Sequence, residues 1–229
     1  MVLIAHTFPI ELKIAQKAGV KFGFMLLFRF GCGILFGMLL SFIYSTFHVL
    51  QEPVHLSKTF MVQDPSWKAW ILNELKNYLI IICIIFSLIL AMRILEMTGF
   101  MRRINQALHP IIKSLGISEE VLPITIIGLT LGIAYGGGLV IEESRQKQLK
   151  PKDIFYSLIL MGLFHSIFED TLLMLGMGGH YSGVIIFRFI MAFIITFVIV
   201  RLTRNMKEET FNRLFITKSA IKKIKSPSI

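Results

Sequence analysis

His165, Glu169 and Asp170 fall within GLFHSIFED, residues 162–170, with IFYSLILM before it and TLLMLGMGG after it. A histidine and two adjacent carboxylates in apolar sequence can bind a cation, take up a proton or hold a solute. A charge at the centre of a bilayer costs about 3 kcal/mol or more, so the cost must be compensated or used. On a continuous helix Gly162, His165, Ser166 and Glu169 form one stripe, and Asp170 shares a face with Ser166. Arg188 is the expected counter-charge, because a short turn at 177–182 folds the chain back and sets Asp170 opposite it. One arginine neutralises one carboxylate. The other takes up a proton, binds a cation, or pairs with Arg29.

Two further acids, Glu142 and Glu143, follow the run Gly136, Gly137, Gly138. His165, Glu169 and one of these glutamates would make a His/carboxylate set suited to a transition metal, with His165 and Glu169 as the metal ligands. The competing reading is a network of ion pairs that only fixes helix packing, with Glu142 and Glu143 emerging into water. No G-x-S-x-G, Walker loop or GxGxxG after a strand is present, so an enzyme is not expected. No resident cofactor is expected either, and the open choice is coupling to a divalent cation or to protons.

The elements that must carry these residues belong to a membrane. The chain has 229 residues, 55% hydrophobic and 17% charged, with a net charge of +10 and a mean hydropathy of +0.71. That composition describes an all-α polytopic membrane protein. Residues 9–19 read as an interfacial helix, so 1–21 form an amphipathic segment. Residues 22–48, 75–97, 154–176 and 183–203 read as four spans of one membrane domain, 22–203. Residues 51–74 form a polar loop with Trp67 and Trp70, residues 100–118 an amphipathic segment broken at Pro110, and residues 204–229 a basic tail. Met1–Ile10 has no basic start and does not read as a cleavable signal. Cys32 and Cys83 sit in apolar segments and read as buried small hydrophobes.

Charge placement decides how residues 121–144 run. Basic clusters lie at Lys13–Lys21, Arg102–Lys113 and Arg145–Lys152, and the tail from Arg201 has a net charge of +6, while the 51–77 loop is neutral. With the N-terminus cytoplasmic, a full crossing by 121–141 would place the last two clusters outside. Entry and exit on one side keeps every cluster inside. Residues 121–144 are therefore expected to form a re-entrant helical hairpin, with its tip at or near Gly136–Gly138. Such backbone needs protein or a water-filled cavity around it. The alternative is a plain span packing through Gly128, Gly132 and Gly136.

The run LPITIIGLTLGIAYGGGLVIEES followed by DIFYSLILMGLFHSIFEDTLLMLG resembles the bacterial nucleoside recognition, or gate, domain. That domain is shared with concentrative nucleoside transporters, spore maturation membrane proteins and the membrane part of ferrous-iron permeases. The resemblance covers roughly residues 75–203. It implies a re-entrant hairpin packed on membrane helices, a role in transport or gating, and a bacterial cytoplasmic (inner) membrane. It does not imply a substrate. The segment Ala134-Tyr135-Gly136-Gly137-Gly138 lacks the polar tip of the nucleoside carriers and the cysteine of the iron-permease gate.

The expected function is a gate-type small-solute transporter or permease component, moving a nucleoside or a cation through an intramembrane His/carboxylate site. That site comprises His165, Ser166, Glu169, Asp170, Glu142, Glu143 and Arg188. Phe164, Phe168 and Tyr135 would line an apolar wall. A chain this short encloses little volume, so homo-oligomerisation or a second membrane subunit is expected, in contact with membrane lipid. Nucleic acid is not an expected partner. The alternative is a non-transporting scaffold or regulatory subunit, with structural ion pairs and a tail that binds lipid or an acidic partner.

Overall fold

A computed structural model describes residue 4 and residues 8–51, 66–146 and 149–225. Pro53, Lys58 and Asp64 of the neutral loop and Lys147 of the basic cluster lie outside the described residues. Every described element is helical, and the single extended pairing among the described residues is an isolated antiparallel bridge between Val20 and Ile216. The order is α1 (Phe8–Lys17), α2 (Phe22–Thr46), α3 (Trp67–Met97), α4 (Phe100–Ser114), α5 (Leu122–Leu131), α6 (Ile133–Gln146), α7 (Pro151–Leu163) and α8 (Ile167–Gly176). A π-helical turn, Ser182–Phe187, then runs into α9 (Arg188–Arg204), followed by α10 (Glu208–Phe215) and α11 (Lys218–Lys225).

The protein is an all-α membrane protein. Among the described residues, α2, the segment Pro151–Gly176 and the segment Ser182–Arg204 are long and apolar enough to cross a bilayer. The expected second span, 75–97, lies within α3, which has 31 residues and hence a length of about 46 Å. The centre of the bundle is α7, whose residues Ile154–Leu163 are all buried. A long apolar helix buried on every side belongs in the middle of a bundle rather than at its lipid face. The amphipathic α4 continues through Pro110 instead of breaking there.

α5 and α6 form the hairpin, but its tip is not the triple glycine. The chain reverses at Gly132, at φ 97° and ψ 162°, a conformation that L side chains rarely adopt. Gly136, Gly137 and Gly138 are helical residues of the second arm. A methyl group on Gly136 would overlap the Gly128 backbone, and one on Gly137 would overlap the Ile14 side chain. Gly136 and Gly137 thus serve close helix packing while Gly138 meets open space, and Gly128, Gly132 and Gly136, spaced by four, act as contact, tip and contact. The placement of charge constrains the path of the segment but not which glycine turns it.

Both hairpin ends lie at one end of the bundle. Before α5, a methyl on Gly116 would sit 3.3 Å from Val200 Cγ1 of α9. After α6, Lys152 Nζ donates to Arg204 O at 2.9 Å and to Met206 O at 2.8 Å. The same end gathers the start of α2 and the segment after α9, where Lys21 N donates to Phe215 O at 2.8 Å and Thr217 N to Gly19 O at 2.8 Å. The segment expected as a free basic tail instead folds back as α10 and α11. Phe211 is fully buried, with its ring centroid 5.2 Å from that of Phe155. α1 turns one face inward, burying Glu11, Leu12 and Ala15 and leaving Lys13 and Lys17 exposed.

Candidate functional site

The expected span 154–176 is interrupted. α7 ends at Leu163, the chain runs through Phe164 to Ser166 without helical geometry, and α8 begins at Ile167. Ser166 has φ 47° and ψ 48°, left-handed for a residue with a Cβ, at a cost of about 1–2 kcal/mol. No glycine or proline marks the place, so the break must be held from outside. Arg188 holds it. Its Nε donates to Leu163 O at 3.0 Å and its Nη2 to His165 O at 3.1 Å. These carbonyls lie where a helix ends with no partner of its own for them. Nη1 lies 3.3 Å from Asp170 Oδ2 in the first turn of α8, where a carboxylate is favoured by the N-terminal dipole. The guanidinium also lies over the Phe164 ring, 5.4 Å from its centroid.

The two interruptions touch. A methyl on Gly132 would overlap Ser166 Oγ. The hairpin's first arm is tied to α7 below this point by Thr125 Oγ1 and Ser157 Oγ, 2.7 Å apart. Beside the crossing lies a cluster of charged and titratable groups drawn from four helices and from the break itself. Glu11 of α1 pairs with Arg29 Nη1 of α2. His165 Nε2 lies 3.1 Å from Glu11 Oε1 and 3.9 Å from Asp170 Oδ2. His165 Nδ1 donates to Met161 O at 3.0 Å. Arg29 Nε donates to Ile4 O at 3.1 Å, and its guanidinium stands over Phe8. The group is buried throughout, with exposures of 1% for Arg29 and His165, 2% for Arg188, and 7% for Glu11 and Asp170. Among the described residues two arginines face two carboxylates, so these four charges balance one another; an unpaired buried ion would lose several kcal/mol of hydration.

The structure therefore brings together His165, Ser166, Asp170 and Arg188, and leaves out Glu169 and Glu142. Glu169 is exposed: the break at 164–166 unwinds the turn that would have put it on the face of His165. The proposed metal pair His165 and Glu169 is accordingly not assembled, and no group of three or more His, Cys, Asp or Glu converges as a metal site among the described residues. Glu142 is exposed near the far end of α6, ten residues and about 15 Å along the helix from Gly132. Glu143 follows it, with its side chain outside the described residues, as is that of Tyr135. Gly136, Gly137 and Gly138 are helical and do not break the hairpin; Gly136 and Gly137 pack it, and Gly138 meets open space. Phe164 is buried against Phe189, and Phe168 meets Phe100 edge-on.

Glu11 is the member that the sequence reading misses, because it lies in the segment 9–19 expected as an interfacial helix. Yet Glu11, Ala15 and Ala18 share one face, opposite Lys13 and Lys17, and an acid on the small-residue face of an amphipathic helix is the signal that could have found it.

Residues 78–181 match the family model Gate, described as nucleoside recognition. The chain is also similar to the uncharacterized membrane protein YvoD of Bacillus subtilis (strain 168), with 23% identity over 211 residues that span 90% of this chain and 67% of that protein. No solved structure matches.

Proposed function

We propose that the protein is a gate-type transporter, or the permease component of one, that passes a small solute at the crossing of its two interrupted helices. The observation that carries this reading is the contact of Gly132 with Ser166 inside the bundle, beside a buried charged cluster. Interrupted helices that meet near the middle of the membrane are where many transporters build their sites, because the break frees backbone groups for a ligand. Non-helical backbone at that depth is otherwise costly. The description of the matching family favours nucleosides as the first solutes to test. Ser166 and the Asp170–Arg188 pair are the groups a solute would meet, and the α5–α6 hairpin is the element that would move. The pathway is completed by a second copy or a second subunit, in a bacterial inner membrane with both termini cytoplasmic.

Uptake of radiolabelled uridine and adenosine into proteoliposomes, for the protein and for Ser166→Val, tests this. Saturable uptake lost in the variant supports the reading. No uptake above empty liposomes, and no nucleoside-dependent rise in melting temperature, would sink it. Labelling of Lys150→Cys from the cytoplasmic side alone is the expected topology result.

A second reading is favoured by the charge match itself. A cluster with two arginines on two carboxylates satisfies a purely structural role, and the protein would then be a scaffold or regulatory membrane subunit. On that reading Asp170→Asn lowers stability and changes nothing else. On the transport reading it also alters uptake by molecules that remain folded.

A further inference from the structure

We propose that Glu11 and His165 hold one exchangeable proton between them, and that this proton is the coupling ion; the coupling role rests on the transport reading above, the proton site does not. His165 Nδ1 lies 3.0 Å from Met161 O, and a carbonyl oxygen can only accept, so Nδ1 carries a hydrogen. On the other side of the ring, Nε2 faces two carboxylates, Glu11 Oε1 at 3.1 Å and Asp170 Oδ2 at 3.9 Å. In a neutral ring of that tautomer, Nε2 is a lone pair pointed at carboxylate oxygen, which is repulsive. The contact is attractive only when a further proton sits on Nε2 or on Glu11 Oε1. Among the described residues, the other charged groups around the pair are Arg29 from α2, on Glu11, and Arg188 from α9, on Asp170. Summed over these described groups, the charge is +1 with the shared proton and zero without it.

The position of the pair gives the proton something to do. Glu11 belongs to α1, and α1 lies against the returning hairpin arm, with Ile14 seated on Gly137. His165 belongs to the interruption that touches the hairpin tip. The shared proton therefore links α1 to the broken helix across the element that would move, and its departure turns that link from attraction to repulsion.

The test uses the full chain in lipid nanodiscs, with 15N-labelled histidine. Ring-nitrogen shifts read the protonation of each nitrogen, and the His165 signal is the one lost in His165→Gln. The expected result is a single pH transition at His165 Nε2, with Nδ1 protonated on both sides of it. In Glu11→Gln it moves to lower pH by about tenfold or more in proton concentration, because a carboxylate that favours the protonated pair has gone. Glu11→Asp, which keeps the charge and withdraws it, gives a smaller move and serves if Glu11→Gln does not fold. No transition between about pH 4 and pH 10, or one indifferent to both substitutions, overturns the proton site. A second arm separates the coupling role. Nucleoside uptake that ignores an imposed pH gradient, with the transition present, overturns coupling. No uptake of any nucleoside, with the transition present, overturns the transport reading and the coupling with it, and leaves the proton site standing.

Discussion

Arg188→Met removes the group that holds the interrupted helix, and the loss can be worked from its contacts. The guanidinium donates to Leu163 O, His165 O and Asp170 Oδ2, at 3.0, 3.1 and 3.3 Å, from a site 2% exposed. Removing one partner of a buried ion pair costs about 3–5 kcal/mol. An orphaned buried carbonyl costs about 1–3 kcal/mol, and there are two. These losses share one side chain and do not add in full, so the expected destabilisation is about 4–7 kcal/mol. Most proteins have total stabilities of about 5–15 kcal/mol, so the variant should be barely folded. Equilibrium unfolding in detergent, run beside Asp170→Asn and the double variant, reads the components. Adding Asp170→Asn removes the stranded carboxylate and should recover about 2–3 kcal/mol. The carbonyls of Leu163 and His165 stay orphaned, so rescue should be incomplete. Complete rescue would mean that Arg188 serves only Asp170, and that the break is held by something else. A single variant within about 1 kcal/mol of the parent would refute the argument as a whole.

Three further substitutions probe the rest of the architecture. Gly132→Ala puts a side chain at φ 97° and drives it into Ser166; a loss of about 2–4 kcal/mol is expected from strain and overlap together, read as a lower unfolding midpoint. Gly138→Ala sits in a helix with open space around it, so it should be neutral or stabilise by about 0.5–1 kcal/mol; strong destabilisation would return the hairpin tip to the triple glycine. Glu169→Gln, at an exposed position, should stay within about 0.5 kcal/mol of the parent and leave uptake unchanged. If it abolished uptake in folded protein, Glu169 would have to be placed back in the site.

How far the sequence was legible depends on what kind of signal each feature leaves. The membrane class and the helical architecture follow from composition and from apolar runs, which any solvent reads the same way. The hairpin followed from charge, because Arg145–Lys152 and the tail have to be accommodated on one side whatever the packing. Its tip did not, since Gly128, Gly132, Gly136, Gly137 and Gly138 are equivalent until a neighbour distinguishes them. Gly136 is wanted because Gly128 lies against it, and Gly132 because the chain turns there. The break at Phe164–Ser166 left still less trace. It is imposed by Arg188, twenty-two residues away from Ser166, through hydrogen bonds to carbonyls, and every residue has a carbonyl. Reading 154–176 as one helix then put Glu169 on the face of His165, and the metal reading followed from that.

The charge balance of the site extends beyond the region that matches the Gate family. Residues 78–181 contain the hairpin, His165, Ser166 and Asp170. Glu11, Arg29 and Arg188 all lie outside it. Within the matched region alone, Asp170 would be buried without Arg188, and the ends of the interrupted helix would lose the donors to Leu163 O and His165 O. His165 Nε2 would keep only the more distant of its two carboxylates, at 3.9 Å. The matched region thus supplies the interruption, and the flanking helices supply the charges that make it tenable in a membrane. A fragment of 78–181 should accordingly fail to give monodisperse protein in detergent, while a chain lacking only α11 should remain folded. A stable 78–181 fragment with Asp170 protected would show that the interruption stands without its arginine. The flanking charges would then have to be explained by function alone.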